Sequence, residues 1–526
     1  MAAPLSASPP ITQAHITDPR QRRSILVAVC LALMAVIASV SGLNVAQPDL
    51  ATTFDASQTQ VLWFINIYTL TLAALLLPVG ALGDRWGRKP MLLCGLLVFG
   101  AAGALAGLAW SSEAMLAARL LSGIGAVMIM PITLAVITST FPEEERAKAI
   151  GIWTGVAGGG GILGMYLSAV LVDLASWRWL FLLPIILVAV AGLMTLRSVP
   201  NSLEHTAEPF DLVGSIASMI AMVGVVFAIH EGPDRGWTAP ETLLSLAIGL
   251  VSGLGFVAWE LRSHAPLLDV RQFRDRRLTS GSVSLLTVFG VQAGVFVVIF
   301  PFFQVVLGWS GLRSTLALMP MALLMMLASG LAPRVTARTG RKLVMCAGIL
   351  LGGIGLASMA ILASTDGGYR AILPGMLAMG FGMGFSMTPA TDAITAALPR
   401  ERQGVASALN DVTRELGTAL GVGLLGAVLS AGYRQRIDGH LAGLAPDIAA
   451  TAREGVATAV ASSDGAGAAQ PALILAAQEA FVGGWQQAMW VGVMVMALLL
   501  IFILLRGPSP IPTPASQRPR IEGPAN

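Results

Sequence analysis

Fourteen times along the chain, an apolar run of about the twenty residues needed to cross a hydrocarbon core is followed by a short polar stretch. The runs lie at 24–43, 60–82, 91–110, 115–138, 149–172, 178–196, 211–230, 242–260, 278–306, 314–333, 343–363, 371–398, 404–431 and 486–505. Only helices satisfy their own backbone inside lipid, so the pattern predicts an all-α integral membrane protein with fourteen spanning helices. The polar gaps divide it into a tail (1–23), a six-helix bundle (24–196), an inserted hairpin (211–260), a second six-helix bundle (278–505) and a second tail (506–526). Inside the second bundle, the Ala-rich stretch 432–485 carries spaced charges, among them Asp438, Arg453 and Glu454, and reads as surface helix and loop that does not span.

Composition agrees with this setting. Hydrophobic residues make up 55% of the chain and charged residues 12%, against roughly 25% in a soluble domain, and the mean hydropathy is +0.76. A net charge of +3, with the basic residues in short clusters between apolar runs, excludes a nucleic-acid surface. Those clusters instead report topology. Of the 32 Lys and Arg residues, 23 fall on the side of the N-terminal tail and seven on the opposite side, so both termini are expected in the cytoplasm of a multi-pass cell-membrane protein. The preference for Arg over Lys, 29 to 3, fits a GC-rich bacterial genome. Cys30, Cys94 and Cys346 all fall in apolar segments and read as free, packed thiols, with neither a disulfide framework nor metal-ligand spacing. No catalytic triad, nucleotide-binding loop or metal cluster is apparent, so no enzyme, metal or cofactor is expected. The first apolar run lacks a cleavage pattern, and no removable signal peptide is expected.

The chain repeats itself. Gly87-Arg88-Lys89 follows the second run and Gly340-Arg341-Lys342 the tenth, each opening another apolar segment, which implies two related halves. The first copy belongs to GALGDRWGRK (Gly80–Lys89), which resembles the signature loop of the major facilitator superfamily. RLLSGIG (Arg119–Gly125), PEEERAKAIGIW (Pro142–Trp153) and SWRWLF (Ser176–Phe181) carry the resemblance further. With fourteen helices, the whole is similar to the drug:proton antiporter branch that includes the QacA and EmrB types of multidrug exporter. The resemblance implies two pseudo-symmetric six-helix bundles plus two inserted central helices. It also implies a secondary transporter that exports lipophilic or amphipathic small molecules in exchange for protons, with the lipid bilayer and a single chain as its working context. A lipid or metabolite exporter without proton coupling, or a non-transporting partner that keeps the fold, remains an alternative.

Candidate residues fall into four groups. In the signature loop, Gly80 permits close helix approach, Gly87 a tight turn, and Asp84 is a negative charge at the membrane face flanked by Arg85, Arg88 and Lys89. The resemblance implies that Asp84 caps the helix beginning near Gly404 in one access state only. In the fifth run, Gly151, Gly155 and Gly159, and then Gly160 and Gly164, are spaced four apart and predict a packing seam. Exporters of the superfamily carry Gly-Pro and Gly-Gly where this chain has Gly164-Met165 and Ser168-Ala169, so the proline is missing. For proton coupling, the resemblance places an acid five residues before Asn44, where this chain has Ser39, which cannot titrate in the needed range. The remaining intramembrane charges are Arg119, Asp392, Asp411, Arg414 and Glu415. Asp392, without a charged neighbour in sequence, ranks first as proton carrier, while Asp411 and Arg414, three apart, form either a local ion pair or a relay. Trp63, Asn66 and Tyr68 with Gln292, Phe296, Phe302, Phe303 and Gln304 offer aromatic faces and amides without fixed charge, a lining suited to lipophilic compounds. Trp63 serves equally as an interfacial anchor, and Met319, Met321, Met325 and Met326 read as adaptable packing.

Overall fold

A computed structural model describes residues 16, 18–200, 209–442, 444–463 and 470–508. Most of both expected tails, 1–15 and 509–526, lies outside the described residues. The N-terminal lobe contains α1 (Pro19–Val45), the short α2 (Gln47–Phe54), α3 (Gln58–Trp86), α4 (Arg88–Gly107), α5 (Ser112–Thr140), α6 (Glu143–Leu174) and α7 (Leu182–Ser198). An inserted pair follows, α8 (Leu212–Arg235) and α9 (Pro240–Glu260). The C-terminal lobe contains α10 (Arg276–Pro301), α11 (Gly311–Thr339), α12 (Arg341–Leu362), α13 (Gly368–Ala397), α14 (Gln403–Ile437), the short α15 (Pro446–Glu454) and α16 (Val456–Ser462), and α17 (Gln470–Arg506). Among the described residues, fourteen helices are long and apolar enough to span, and they correspond to the fourteen runs of the sequence.

The internal repeat has a structural counterpart in both lobes. Gly87 ends α3 and begins α4 at φ +98°, and Gly340 ends α11 and begins α12 at φ +88°, a left-handed region in which a Cβ is strained. One residue on from each following Arg, a lysine turns to the lobe's last helix. Lys89 Nζ donates to the Leu196 carbonyl at 2.8 Å, and Lys342 Nζ donates to the Leu504 carbonyl at 2.7 Å. Each satisfies a carbonyl that a helix C-terminus leaves without an intrahelical partner. The face that carries these loops is called the loop face below.

The two ends of the expected outer stretch 432–485 are helical. α14 continues to Ile437 and α17 starts at Gln470, sixteen residues before the sequence placed the last span. Hydropathy marks where a segment leaves hydrocarbon, whereas a helix ends only where its packing ends. Here Gly432 and Gly484 bring α14 and α17 nearly into backbone contact, with a Cβ on Gly432 falling 2.9 Å from Gly484 Cα. Buried Tyr433 donates to the Ala452 carbonyl of α15 at 2.7 Å. The inserted pair lies against both lobes. α8 meets α3 through Phe227 on Trp63, ring centroids 6.0 Å apart, and meets α14 through Ile229, close to Gly423. α9 turns most of its apolar side chains outward, as a lipid-facing helix does. Of the three cysteines, Cys346 is buried, Cys30 partly so, and Cys94 is exposed on α4 rather than packed.

Candidate functional site

Asp84 sits where the lobes meet on the loop face. It is 5% exposed, and its Oδ1 accepts from the Gly404 N–H at 2.8 Å and from Arg88 Nη2 at 3.1 Å, while Oδ2 accepts from the Val405 N–H at 3.2 Å. A carboxylate on the first free N–H groups of a helix is favoured by both hydrogen bonding and the helix dipole. Close approach is possible because both helices present glycine. A Cβ on Gly80 would lie 2.5 Å from Ala408 Cβ, and one on Gly404 only 2.3 Å from the Gly80 carbonyl oxygen. Arg85 stacks on Phe210 at the base of the inserted pair, 5.9 Å from the ring centroid, and Lys89 makes the tie to α7 described above. Thus Gly80, Asp84 and Arg88 lie in the interlobe contact itself, and Arg85 beside it.

The glycine-rich face of α6 divides between two partners. A Cβ on Gly151 would meet the Ser329 carbonyl oxygen at 2.6 Å, and one on Gly159 would meet Met326 Cγ at 2.5 Å and the Ala322 carbonyl at 3.1 Å, all on α11 of the other lobe. Gly155 stands 3.4 Å from Met326 Cα by the same measure. Gly160 faces Met34 and Gly164 faces Ala38, both on α1 of its own lobe. The two spacing series are therefore two seams, one between lobes and one within a lobe. α6 remains a single helix of 32 residues.

Beyond the interlobe seam lies a cavity of about 190 Å³, lined on one side by Ser41 of α1 and Gly158, Gly161, Ile162 and Met165 of α6, and on the other by Phe289, Gln292 and Phe296 of α10 and Thr418 of α14. Gln292 and Phe296 were expected in such a lining. The other candidates lie elsewhere: Tyr68 is 1% exposed beneath Arg119, Trp63 packs on Phe227, Asn66 is half-buried on α3, and Gln304 is exposed on the turn after α10. Phe302 stacks on Trp485 and Phe303 on Trp309, both in the lobe interior. A strip of aromatic residues in sequence wraps a helix, so only the members on its inner face reach a cavity.

Arg414, four residues before the cavity-lining Thr418 on α14, lies behind the wall, its guanidinium 4.5 Å from the centroid of Phe289 and 5.7 Å from that of Trp153. It pairs with Asp411 at 3.4 Å, and Asn410 Nδ2 also donates to that Asp411 oxygen at 3.2 Å. The second Asp411 oxygen, Oδ2, is buried without a hydrogen-bond partner. Glu415 lies within electrostatic reach of Arg414, Asp411 and, across the lobes, Tyr68. Arg119 is wholly buried, with Nε donating to the Phe64 carbonyl and Nη1 to Ser39 Oγ, each at 3.1 Å, and its guanidinium 4.5 Å from the Tyr68 centroid. Its Nη2 has no partner, so Ser39 supplies an acceptor but no counter-charge. Asp392 has no charged neighbour in sequence but has one in space: Arg341, from the second Gly-Arg-Lys, forms an ion pair with it near the loop face. Sequence distance hid a partner fifty-one residues away, although the repeat that places Arg341 was visible.

Residues 29–422 match the family described as the Major Facilitator Superfamily. The chain belongs to the major facilitator superfamily. Its fourteen-span, all-helical architecture is that of the superfamily's two six-helix bundles with an inserted pair, and it is a membrane transporter rather than an enzyme. It is 31% identical over 423 residues to the multidrug resistance protein Stp of Mycobacterium tuberculosis (strain CDC 1551 / Oshkosh), covering 80% of this chain and 78% of Stp. It is 32% identical over 462 residues to the multidrug efflux pump LfrA of Mycolicibacterium smegmatis, covering 87% of this chain and 91% of LfrA. Among solved structures, the human organic anion transporter MFSD10 shares the fold with a TM-score of 0.58 at 16% identity, covering 91% of this chain and all of that one.

Proposed function

We propose that this superfamily member is a multidrug exporter that moves amphipathic and lipophilic small molecules across the cell membrane by alternating access, driven by protons. The observation that carries the reading is the cavity between the lobes. It combines Phe289, Phe296, Gln292 and Thr418 with small residues of α6, offers no fixed charge in its wall, and is closed toward the loop face by the Asp84 contact and the α6–α11 seam. The excess of Lys and Arg on the loop face supports a cytoplasmic loop face and cytoplasmic termini, and in that orientation the arrangement is the outward-facing state of an exporter. The names of Stp and LfrA, a multidrug resistance protein and a multidrug efflux pump, support the same substrate class.

Proton exchange is assigned to Asp411 and Glu415, next to the cavity floor, with Arg414 as the cation whose pairing changes when a proton arrives. Arg119 is a permanent positive charge held by Ser39 and Tyr68. Asp392, paired with Arg341, serves the loop-face closure in the C-terminal lobe instead of carrying the proton. A single chain is taken as the transporting unit.

The test uses inside-out vesicles loaded with the purified chain and ethidium as the substrate. Uptake that collapses when the proton gradient is dissipated is expected for the natural protein. Asp411→Asn and Glu415→Gln should lose gradient-driven uptake and keep ethidium exchange at equal pH. Uptake that survives dissipation would favour a facilitator or a lipid or metabolite exporter without proton coupling.

A further inference from the structure

Two carboxyl groups meet at the base of the inserted pair, away from the cavity. Asp211 caps α8, its Oδ1 accepting from the Gly214 N–H at 2.8 Å, and Trp259 Nε1 reaches both of its oxygens at 3.0 Å. Glu260, the last residue of α9, is 0% exposed; Oε2 accepts from the Leu268 N–H at 3.3 Å, and Oε1 has no hydrogen-bond partner. A Cβ on Gly214 would stand 2.4 Å from Glu260 Oε1 and 2.6 Å from Asp211 Oδ2. Both oxygens therefore converge over one glycine, within about 5 Å of each other. Among the described residues, no cation lies within ion-pair distance of either. Two carboxylates so placed do not both ionise without a large penalty, and a buried carboxyl oxygen without a donor is satisfied by a proton.

This pair adjoins the Asp84 contact. Pro209, Phe210 and Asp211 before α8, and Ala265, Pro266 and Leu267 after α9, close over a cleft whose other walls are Asp84 and Arg85 of the N-terminal lobe and Glu401, Arg402 and Val405 of the C-terminal lobe. Phe210 lies against Arg85, and the Pro266 carbonyl accepts from Arg402 Nη1 at 3.4 Å. The base of the hairpin thus touches both lobes across their junction, so opening that junction must lift it from at least one.

We propose that Asp211 and Glu260 form a proton-binding site outside the transport path that latches the hairpin base over the loop-face junction. In the latched state the Glu260 carboxyl is protonated, which removes one of the two facing negative charges. When that proton leaves for water through the open cleft lined by Asp211, Trp259, Ser263 and His264, the two carboxylates repel, the base lifts and the junction is released. Other charged or titratable groups facing the site are Asp84 and Arg85 from α3, Glu401 and Arg402 before α14, and, in the linker, His264 and Arg271, whose guanidinium donates to the Leu261 carbonyl. Alkaline conditions on the loop face would therefore favour release. For one proton the ratio of released to latched protein rises by at most tenfold per pH unit.

The proposal needs no transported substrate, so its test is separate from that of export. Spin labels on Ser263→Cys in the linker and Trp86→Cys at the exposed end of α3, in a chain whose three native cysteines are replaced, report the distance across the base in lipid nanodiscs. Between about pH 5 and about pH 9, which brackets paired and buried carboxyls, a second, longer distance should grow in. Glu260→Gln and Asp211→Asn, measured separately so that one misfolded variant does not end the test, should hold the short distance throughout. No pH-dependent population in the parent, or the same dependence in both variants, would overturn the proposal, the latter pointing to His264. Recovery of the short distance at alkaline pH on adding calcium would also overturn it, by making the ligand a metal cation.

Discussion

Replacing Asp84 by Asn keeps the side chain's shape and removes its charge. The Arg88 bond is internal to the N-terminal lobe, so it is retained in either access state and contributes little to the difference between them. The state-dependent part is the pair of bonds from Gly404 and Val405 across the junction. Bonds to a charged acceptor are worth about 1.5–3 kcal/mol each. Asn accepts one of them as a neutral group worth about 1 kcal/mol and turns an N–H toward the other donor. The closed junction should lose about 3 kcal/mol, which at 1.4 kcal/mol per tenfold is about a hundredfold in the closed-to-open ratio. Val405→Cys, at a position 4% exposed in the closed junction, supplies the reporter. In the cysteine-replaced chain, its labelling by a maleimide that does not cross membranes should accelerate by up to that factor when Asn replaces Asp84, while the protein stays monodisperse and inserted. Equal labelling rates in the two backgrounds would show that the cap does not hold the junction, however well placed it is.

Substitutions along α6 should rank by what a new Cβ meets. Gly151→Ala and Gly164→Ala press on backbone and should each cost about 1–3 kcal/mol in thermal unfolding of the purified protein, whereas Gly160→Ala meets only the flexible end of Met34 and should cost less. Gly151→Ala should also impair transport and Gly164→Ala less so, because only the first lies between lobes; equal transport losses would remove that distinction. Ser39→Asp places a carboxylate beside buried Arg119, whose Nη2 lacks a partner, and should stabilise the protein by about 1.5–3 kcal/mol, the worth of a charged hydrogen bond; a lower unfolding temperature would refute it. For Arg341 and Asp392, the double variant Arg341→Gln with Asp392→Asn should be less destabilised than the two single variants summed, by about 0.5–3 kcal/mol; strict additivity would mean the pair contributes nothing.

The architecture was readable because a bilayer leaves few choices: span length was enough to place the fourteen helices, and the signature loop named the superfamily. Spacing also gave the α6 seams, since residues four apart share a helix face. It did not reveal that the two series belong to different partners, because one residue of offset between Gly159 and Gly160 turns the face by about 100°, and only packing says what stands there. The same limit dispersed the expected cavity lining. Trp63, Tyr68 and Gln304 have the right chemistry and the wrong azimuth or depth, whereas Ser41, Ile162 and Thr418 have unremarkable chemistry and the right position. Asp211 and Glu260 carried no signal at all, since each sits at the end of an apolar run where a charge is ordinary.

At the interlobe seam, glycines 158 and 159 are filled by thioethers: Cβ atoms there would lie 2.5 Å from Met325 Cε and from Met326 Cγ. Thioether is a soft filler that lets two helices slide past one another, and it is also the most readily oxidised of apolar groups. Met325 is 0% exposed while the seam is shut, so an oxidant reaches it only in the part of the cycle when the lobes have separated. A sulfoxide oxygen formed then has no room when the seam closes again. Damage of this kind accumulates with the number of cycles completed rather than with time of exposure, so a resting pump would survive an oxidative burst that disables a working one, until a reductase restores the sulfur.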